Sequence, residues 1–174
     1  MARHFNISGE LTQELLAAGD NTHVSKISLT NTQKVSKCKV DLYIEKKLTG
    51  KFYLLKGVEL PIGGTLIHDD IKFSNLTGEF GLYIKLTDGA TFTLTGAIDP
   101  TGTNTTVPGS GTAFLSELSI GDEIVVSGET RVISNITSDT AAVVSAAWGS
   151  DLANDLTPDC NPEALIDVII NNRK

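Results

Sequence analysis

The sequence predicts an all-β chain, an antiparallel β-sandwich of jelly-roll or Ig-like type with an inserted small β-barrel-like module. Three observations predict it. Apolar residues recur at every second position in "KVDLYIEKK" (39–47) and "EFGLYIKLTDG" (79–89), the period of a half-buried strand. Sixteen glycines among 174 residues, with abundant Thr and Ser, mark frequent chain reversals. Finally, "IDVII" (166–170) is a β-branched run that follows a long stretch of different texture and still has the pattern of a strand.

The elements follow in order. Residues 5–20 carry Leu11, Leu15 and Ala18 at helical spacing, with Gly19 as a stop. "HVSKISLTN" places Ile27 and Leu29 on one face of a strand. In "KVDLYIEKK", Val40, Leu42 and Ile44 alternate with Asp41, Tyr43 and Glu45. "KFYLLKGVELP" carries Phe52, Leu54, Val58 and Leu60 in period two, "LTGK" before it forms a compact hairpin turn, and Pro61 ends the pairing. "IGGTLIHDD" turns through two glycines into a short strand, and Leu82, Ile84 and Leu86 alternate with Tyr83 and Lys85.

After "TDGA" the texture changes. "TFTLTG" is a short strand, whereas residues 99–113, with two of the five prolines, are expected to be loop or irregular edge. Three strands follow, "DEIVVSG", "ETRVISNIT" and "TAAVVSAAW", divided by Ser127-Gly128 and Ser138-Asp139. With "TFTLTG" they make a compact barrel-like module. Counting edges assigns "ALIDVII" to the sandwich, beside the strand "LYIKL", with Ile166, Val168 and Ile170 inward and Asp167 outward. The domains expected are therefore 1–90 plus 159–174, a discontinuous sandwich, and 91–158, an inserted module; whole-domain insertions are tolerated where two chain ends lie close.

Composition narrows function. A net charge of −7, with the densest basic run split by Asp41 and Glu45, argues against a surface that tracks nucleic-acid phosphates. No stretch has the length of a membrane span, and the first residues lack the apolar core of a signal peptide. Cys38 and Cys160 have no metal-ligand spacing and read as ordinary thiols in a reducing cytoplasm.

Candidate chemistry is sparse. His68, Asp69 and Asp70 are adjacent, but successive strand residues point to opposite faces and do not converge, so a solvated strand end explains them better than a metal site. His4 and His23 are isolated and expected to face water. "GSGTAF" (109–114) lacks the Lys and following helix of a phosphate loop. Ser110 and Ser116 have no nucleophile-elbow context. Asn75-Leu-Thr and Asn135-Ile-Thr read as chance sequons. No catalytic, cofactor or metal residue is expected, and the chain is not expected to be an enzyme. Trp148, Tyr43 and Tyr83 are the candidate partner contacts, with a core-closing role the alternative for Trp148.

Two stretches resemble known proteins. "ELLAAGDNTHVSKISLTNTQKVSKCKVDLYI", with "FYLLKGVELPIGGTLIHDDIKFSN" and "GLYIKL", resembles small β-sandwich structural proteins of tailed bacteriophages, especially marine phages, through Ile27-x-Leu29-x-Asn31, the Tyr53–Lys56 strand and the Pro61/Gly63 turn. The stretch from Gly109 to Trp148 is similar to a small β-module of phage tail fibres and virion proteins. Its marks are Gly111, Thr112 and Phe114; Leu118, Gly121, Asp122 and Ile124; and Ser138 to Thr140. The resemblance implies an extended conformation for residues 10–18, against their helical spacing, and a strand or irregular arm is adopted there. It also implies a capsid decoration or head/tail protein, homo-oligomeric, in contact with capsid or tail proteins and assembled in the bacterial host cytoplasm. The alternative is a receptor- or glycan-binding tail-fibre module, with loops 99–112 and 149–160 and Trp148 meeting a host surface glycan.

Overall fold

In the computed structural model, which describes residues 2–46, 49–75, 78–152 and 158–172, the chain is all-β and sandwich-like, with antiparallel strand pairing throughout its sheets. Contacts divide it into two compact units. The first comprises residues 1–33, 37–88 and 164–174, the second 34–36 and 89–163.

The first unit holds β1 (Ala2–Ser8), β2 (Gln13–Leu16), β3 (His23–Asn31), β4 (Cys38–Lys46), β5 (Gly50–Leu60), β6 (Thr65–His68), β7 (Phe73–Ser74) and β8 (Gly81–Thr87). The second holds β9 (Phe92–Thr93), β10 (Ala97–Ile98), β11 (Thr106–Ser110), the single-turn α1 (Phe114–Glu117), β12 (Glu123–Val126), β13 (Glu129–Ser138), β14 (Ala141–Val144) and β15 (Asp159–Asn161). The chain then returns to the first unit as β16 (Leu165–Asn172).

Two sheets build the first unit, one ordered β1-β16-β3-β6 with β7 also on β3, the other β2-β8-β4-β5. Alternation decides their facing: Ile27, Leu29, Ile166, Val168 and Ile170 of one sheet share a core with Val40, Leu42, Leu82, Ile84 and Leu86 of the other. The inward residues of β4, β8 and β16 are those the period predicts.

Several expectations are corrected. Residues 2–16 form two strands and no helix, against their helical spacing and in keeping with the extended arm adopted for residues 10–18; Leu11 is 78% exposed, while Ile7, Leu15 and Leu16 enter the core. β16 pairs with β1 and β3, at the centre of one sheet, and not beside β8, whose two sides are taken by β2 and β4. The simple alternation of β5 is broken by irregular register opposite Val40 to Tyr43, where Gly57 takes a φ of 59° and its N–H donates to Asp41. The turn expected at 48–51 lies partly outside the described residues.

The seven strands of the second unit run β10-β11-β14-β13-β12-β15-β9. Its end strands, β9 and β10, are joined by only residues 94–96, so the sheet curls until its two edges are within reach of that short link. Its core gathers Ile98, Val107, Phe114, Leu118, Ile124, Val126, Val144 and Trp148. Ser127 and Gly128, both at positive φ (48° and 84°), make the primed turn between β12 and β13.

The stretch 99–113 is not all loop. It contains β11, in which Pro108 lies opposite Ala141 of β14. "TFTLTG" contributes only Phe92–Thr93. The dividing points also differ from 90 and 159: Asp159–Asn161 pairs with β12 and β9, so the second unit extends to Glu163.

The module's sequence motif has a physical basis here. Asp122 is fully buried and its carboxylate accepts the N–H groups of Ser119 (2.7 Å) and Glu163 (2.9 Å), while Gly121, at φ 101°, leaves the space in which a Cβ would strike Glu163. Asp139 holds the turn before α1, its carbonyl accepting from Thr112 Oγ1 (2.6 Å) and the Phe114 N–H (3.2 Å), its carboxylate from the Leu115 N–H (3.0 Å). These residues were expected to mark turns and core, and they do so.

Candidate functional site

The outer face of the four-stranded sheet carries a row of side chains that register alone brings together. Glu14 of β2 opposes Tyr83 of β8, Tyr83 opposes Tyr43 of β4, and Tyr43 opposes Tyr53 of β5. The Tyr43 and Tyr83 rings stack at 5.7 Å between centroids and 19° between planes, and Tyr53 tilts against Tyr43 at 5.5 Å. In the next row Glu45 lies between Gly81 and Lys51. At Gly81 a Cβ would come within 2.9 Å of the Tyr83 ring, so a larger residue there would displace that ring.

Over this row lies a groove of about 500 Å³, lined by Tyr43, Tyr83, Glu45, Lys51 and Glu79 with Thr12, Ala18 and Gly78. Buried Asn75 braces the segments on either side, accepting from the Thr22 N–H at 2.7 Å and donating to the Ala17 carbonyl at 2.6 Å. That side chain is therefore engaged and is no glycan acceptor in the folded chain.

The groups of the groove are electrostatically coupled. Lys51 Nζ donates to Tyr43 Oη at 3.2 Å and sits 4.5 Å from the centre of the Tyr43 ring. That hydrogen bond is the main cause that raises the ammonium above its ordinary pKa. Glu79 pairs with Lys46 at 3.0 Å. Tyr83 donates to Glu14 at 2.8 Å, and this bond to the neutral phenol, followed by burial, pushes its pKa up to about 12.

The folded chain thus holds the Tyr83 proton more tightly than the unfolded chain. The resulting stability is complete below about pH 10, the ordinary phenol value, and is lost as pH rises toward 12. Phenolate absorbance followed against pH should show an ionisation near pH 12 that is absent in Tyr83→Phe and moves down by about one unit in Glu14→Ala.

Of the three predicted contact residues, the structure brings Tyr43 and Tyr83 together and leaves Trp148 elsewhere. Trp148 is 2% exposed in the core of the second unit, with the Arg131 guanidinium 5.3 Å from its ring centre and no partner for Nε1 among the described residues. It closes a core and is not a surface anchor. Of loop 149–160, residues 153–157 lie outside the described residues, and Asp159 and Cys160 belong to β15. Tyr43, only 1% exposed, underlies the groove, while Tyr83 is half-buried beside it.

Sequence reasoning missed Tyr53, Lys51, Glu45 and Glu14 as members of one site. The phase of alternation in β4 and β8 was the available signal, but opposition across strands depends on register. His4, His23, Asp69 and Asp70 are exposed, and among the described residues no three His, Cys, Asp or Glu side chains are placed to hold a metal. The "GSGTAF" stretch is followed by a single helical turn, contrary to the expectation of none. Cys38 and Cys160 are free and buried; burial first, then Asp88, pushes Cys38 to about 11, and burial, then Asp122 and Glu117, raises Cys160 further. Neither is a reactive thiol. No helix among the described residues is long and apolar enough to cross a membrane.

Comparison with known proteins gives little to set beside this geometry. No family model matches the sequence, and no curated protein matches it. Among solved structures, the serine protease of Aeromonas sobria is matched over 98% of this chain and 26% of its own, with 8% identity and a TM-score of 0.25. The chain thus spans about a quarter of that protein's length, and a likeness of that degree carries no argument about function.

Proposed function

We propose that this chain is a non-enzymatic structural protein of a tailed-bacteriophage virion, a homo-oligomeric capsid decoration or head/tail component, with its second unit a module inserted in the first. The observation that supports action through protein contacts is β5. It is an edge strand of eleven residues with Phe52 51% and Tyr53 42% exposed. A long apolar strand edge invites pairing unless something covers it, and Lys51, Lys56 and the irregularity at Gly57 protect it only in part. Contacts of this kind, strand edge and apolar flank buried between copies or against a shell protein, are the mechanism assigned here.

The test is co-sedimentation with empty capsids and with purified tails, alongside the mass in solution by ultracentrifugation. The chain is expected to pellet with one of the two particles and to self-associate, and Phe52→Lys should weaken self-association at least about tenfold. A chain in which residues 89–163 are replaced by two glycines between Asp88 and Ala164 should still fold. Monomers that ignore both particles would sink the proposal, and labelling of host cells that surface polysaccharide competes away would favour a glycan-binding module instead.

A further inference from the structure

We propose that the groove over Tyr43 and Tyr83 receives the ammonium end of a lysine side chain from a partner protein, and that Lys51 occupies it in the free chain. Aromatic faces beside carboxylates favour an organic cation, since the ring quadrupole and the anion attract the same charge. Here the arrangement already holds one. Lys51 places its Nζ on the Tyr43 ring and hydroxyl, opposite Glu45 in register.

Lys51 is itself exposed, on a flexible four-carbon stem, so it can leave for solvent without disturbing the sheet. Its departure leaves Tyr43, Glu45 and Glu79 lining a groove large enough for another alkylammonium, with the lining's charge more negative by one. The chain's net charge of −7 favours approach of a basic partner. A neutral sugar fits less well, because it would displace the ammonium from beside Glu45 without replacing its charge. An ammonium lies over Tyr43 and another, from Lys56, lies 4.8 Å from the Tyr53 ring centre.

The inference does not rest on the virion reading, and the two fail separately. The isotope-labelled full chain is titrated with N-acetyl-lysine methylamide, with its neutral norleucine analogue and with methyl glucoside, and followed by NMR. Saturable shifts at Tyr43, Glu45 and Tyr83 are expected with the lysine compound alone, weakening as salt is added. Lys51→Met should tighten binding about fivefold, because it removes an internal competitor that leaves the groove open only part of the time. Glu45→Gln should weaken it about fivefold or more.

Equal binding of the norleucine analogue would overturn the proposal, as would a response to the sugar alone or no response to any of the three. Unchanged affinity in Lys51→Met, with shifts elsewhere intact, would overturn Lys51's role as occupant. A site that is merely structural does not predict tighter binding on loss of a lysine.

Discussion

Asp122→Ala is expected to unfold the second unit while leaving the first intact. Its carboxylate is wholly inside the protein and accepts two backbone N–H groups, from Ser119 and from Glu163, which tie the end of the α1 segment to the chain leaving β15. Alanine leaves both donors without that acceptor, at about 1–3 kcal/mol each. A module of this size holds only about 3–5 kcal/mol in reserve, so the loss is comparable with its whole stability. The chromophores separate the two units for measurement. The single Trp lies in the second unit and all three Tyr lie in the first. Tryptophan emission should shift to the red at room temperature in Asp122→Ala while the near-ultraviolet tyrosine dichroism persists. Native emission with an unchanged denaturation midpoint would show that the buried carboxylate does not hold the turn.

The opposite outcome is expected from Val168→Asp. Val168 is buried at the centre of β16, with Phe5 of β1 on one side and Leu29 of β3 on the other. An unpaired carboxylate there costs about 4 kcal/mol or more, so the tyrosine dichroism should collapse. Asp167, one residue earlier, faces outward and accepts a hydrogen bond from Asn6. Asp167→Asn should change stability by less than about 1 kcal/mol. Two neighbouring substitutions with such unequal effects test the register directly, because a slip of one residue would exchange them.

Much of the fold was legible because burial on one face writes itself as period two. β4, β8 and β16 are central strands with one clean apolar face, and their inward residues were read without error. What misled was local. Leu11, Leu15 and Ala18 fall at helical spacing by chance, and that spacing hid β1, whose Phe5 and Ile7 do alternate with His4 and Asn6. With β1 unseen, the vacancy in its sheet was unseen too, and β16 was assigned to a neighbour already paired on both sides. Pro108 made β11 look like loop, since proline is usually excluded from strands.

The candidate site was legible only in pieces. Tyr43 and Tyr83 stood out as outward aromatic residues on strong strands, but alternation says nothing of which strand lies beside which. Their stacking, and the inclusion of Tyr53 and Glu14 in one row, follow from register across four strands. Trp148 stood out for the opposite reason: a lone tryptophan is conspicuous in sequence wherever it ends up, and here it ends in a core.

The position of β16 also bears on synthesis. Ala164 donates its N–H to the Asp88 carboxylate at 2.8 Å, so the chain comes back to the place it left before β9. On a ribosome adding about 5–20 residues each second, residues 89–163 occupy roughly four to fifteen seconds. Throughout that interval β1 and β3 have emerged with nothing between them, and two strand edges destined for the middle of a sheet stand open to other chains. The second unit begins later yet has all its strands sooner. A nascent chain halted anywhere past Asp88 and short of β16 would therefore lack the centre of its first sheet, and crowded polysomes, more than the finished protein, are where this fold is most exposed to mispairing.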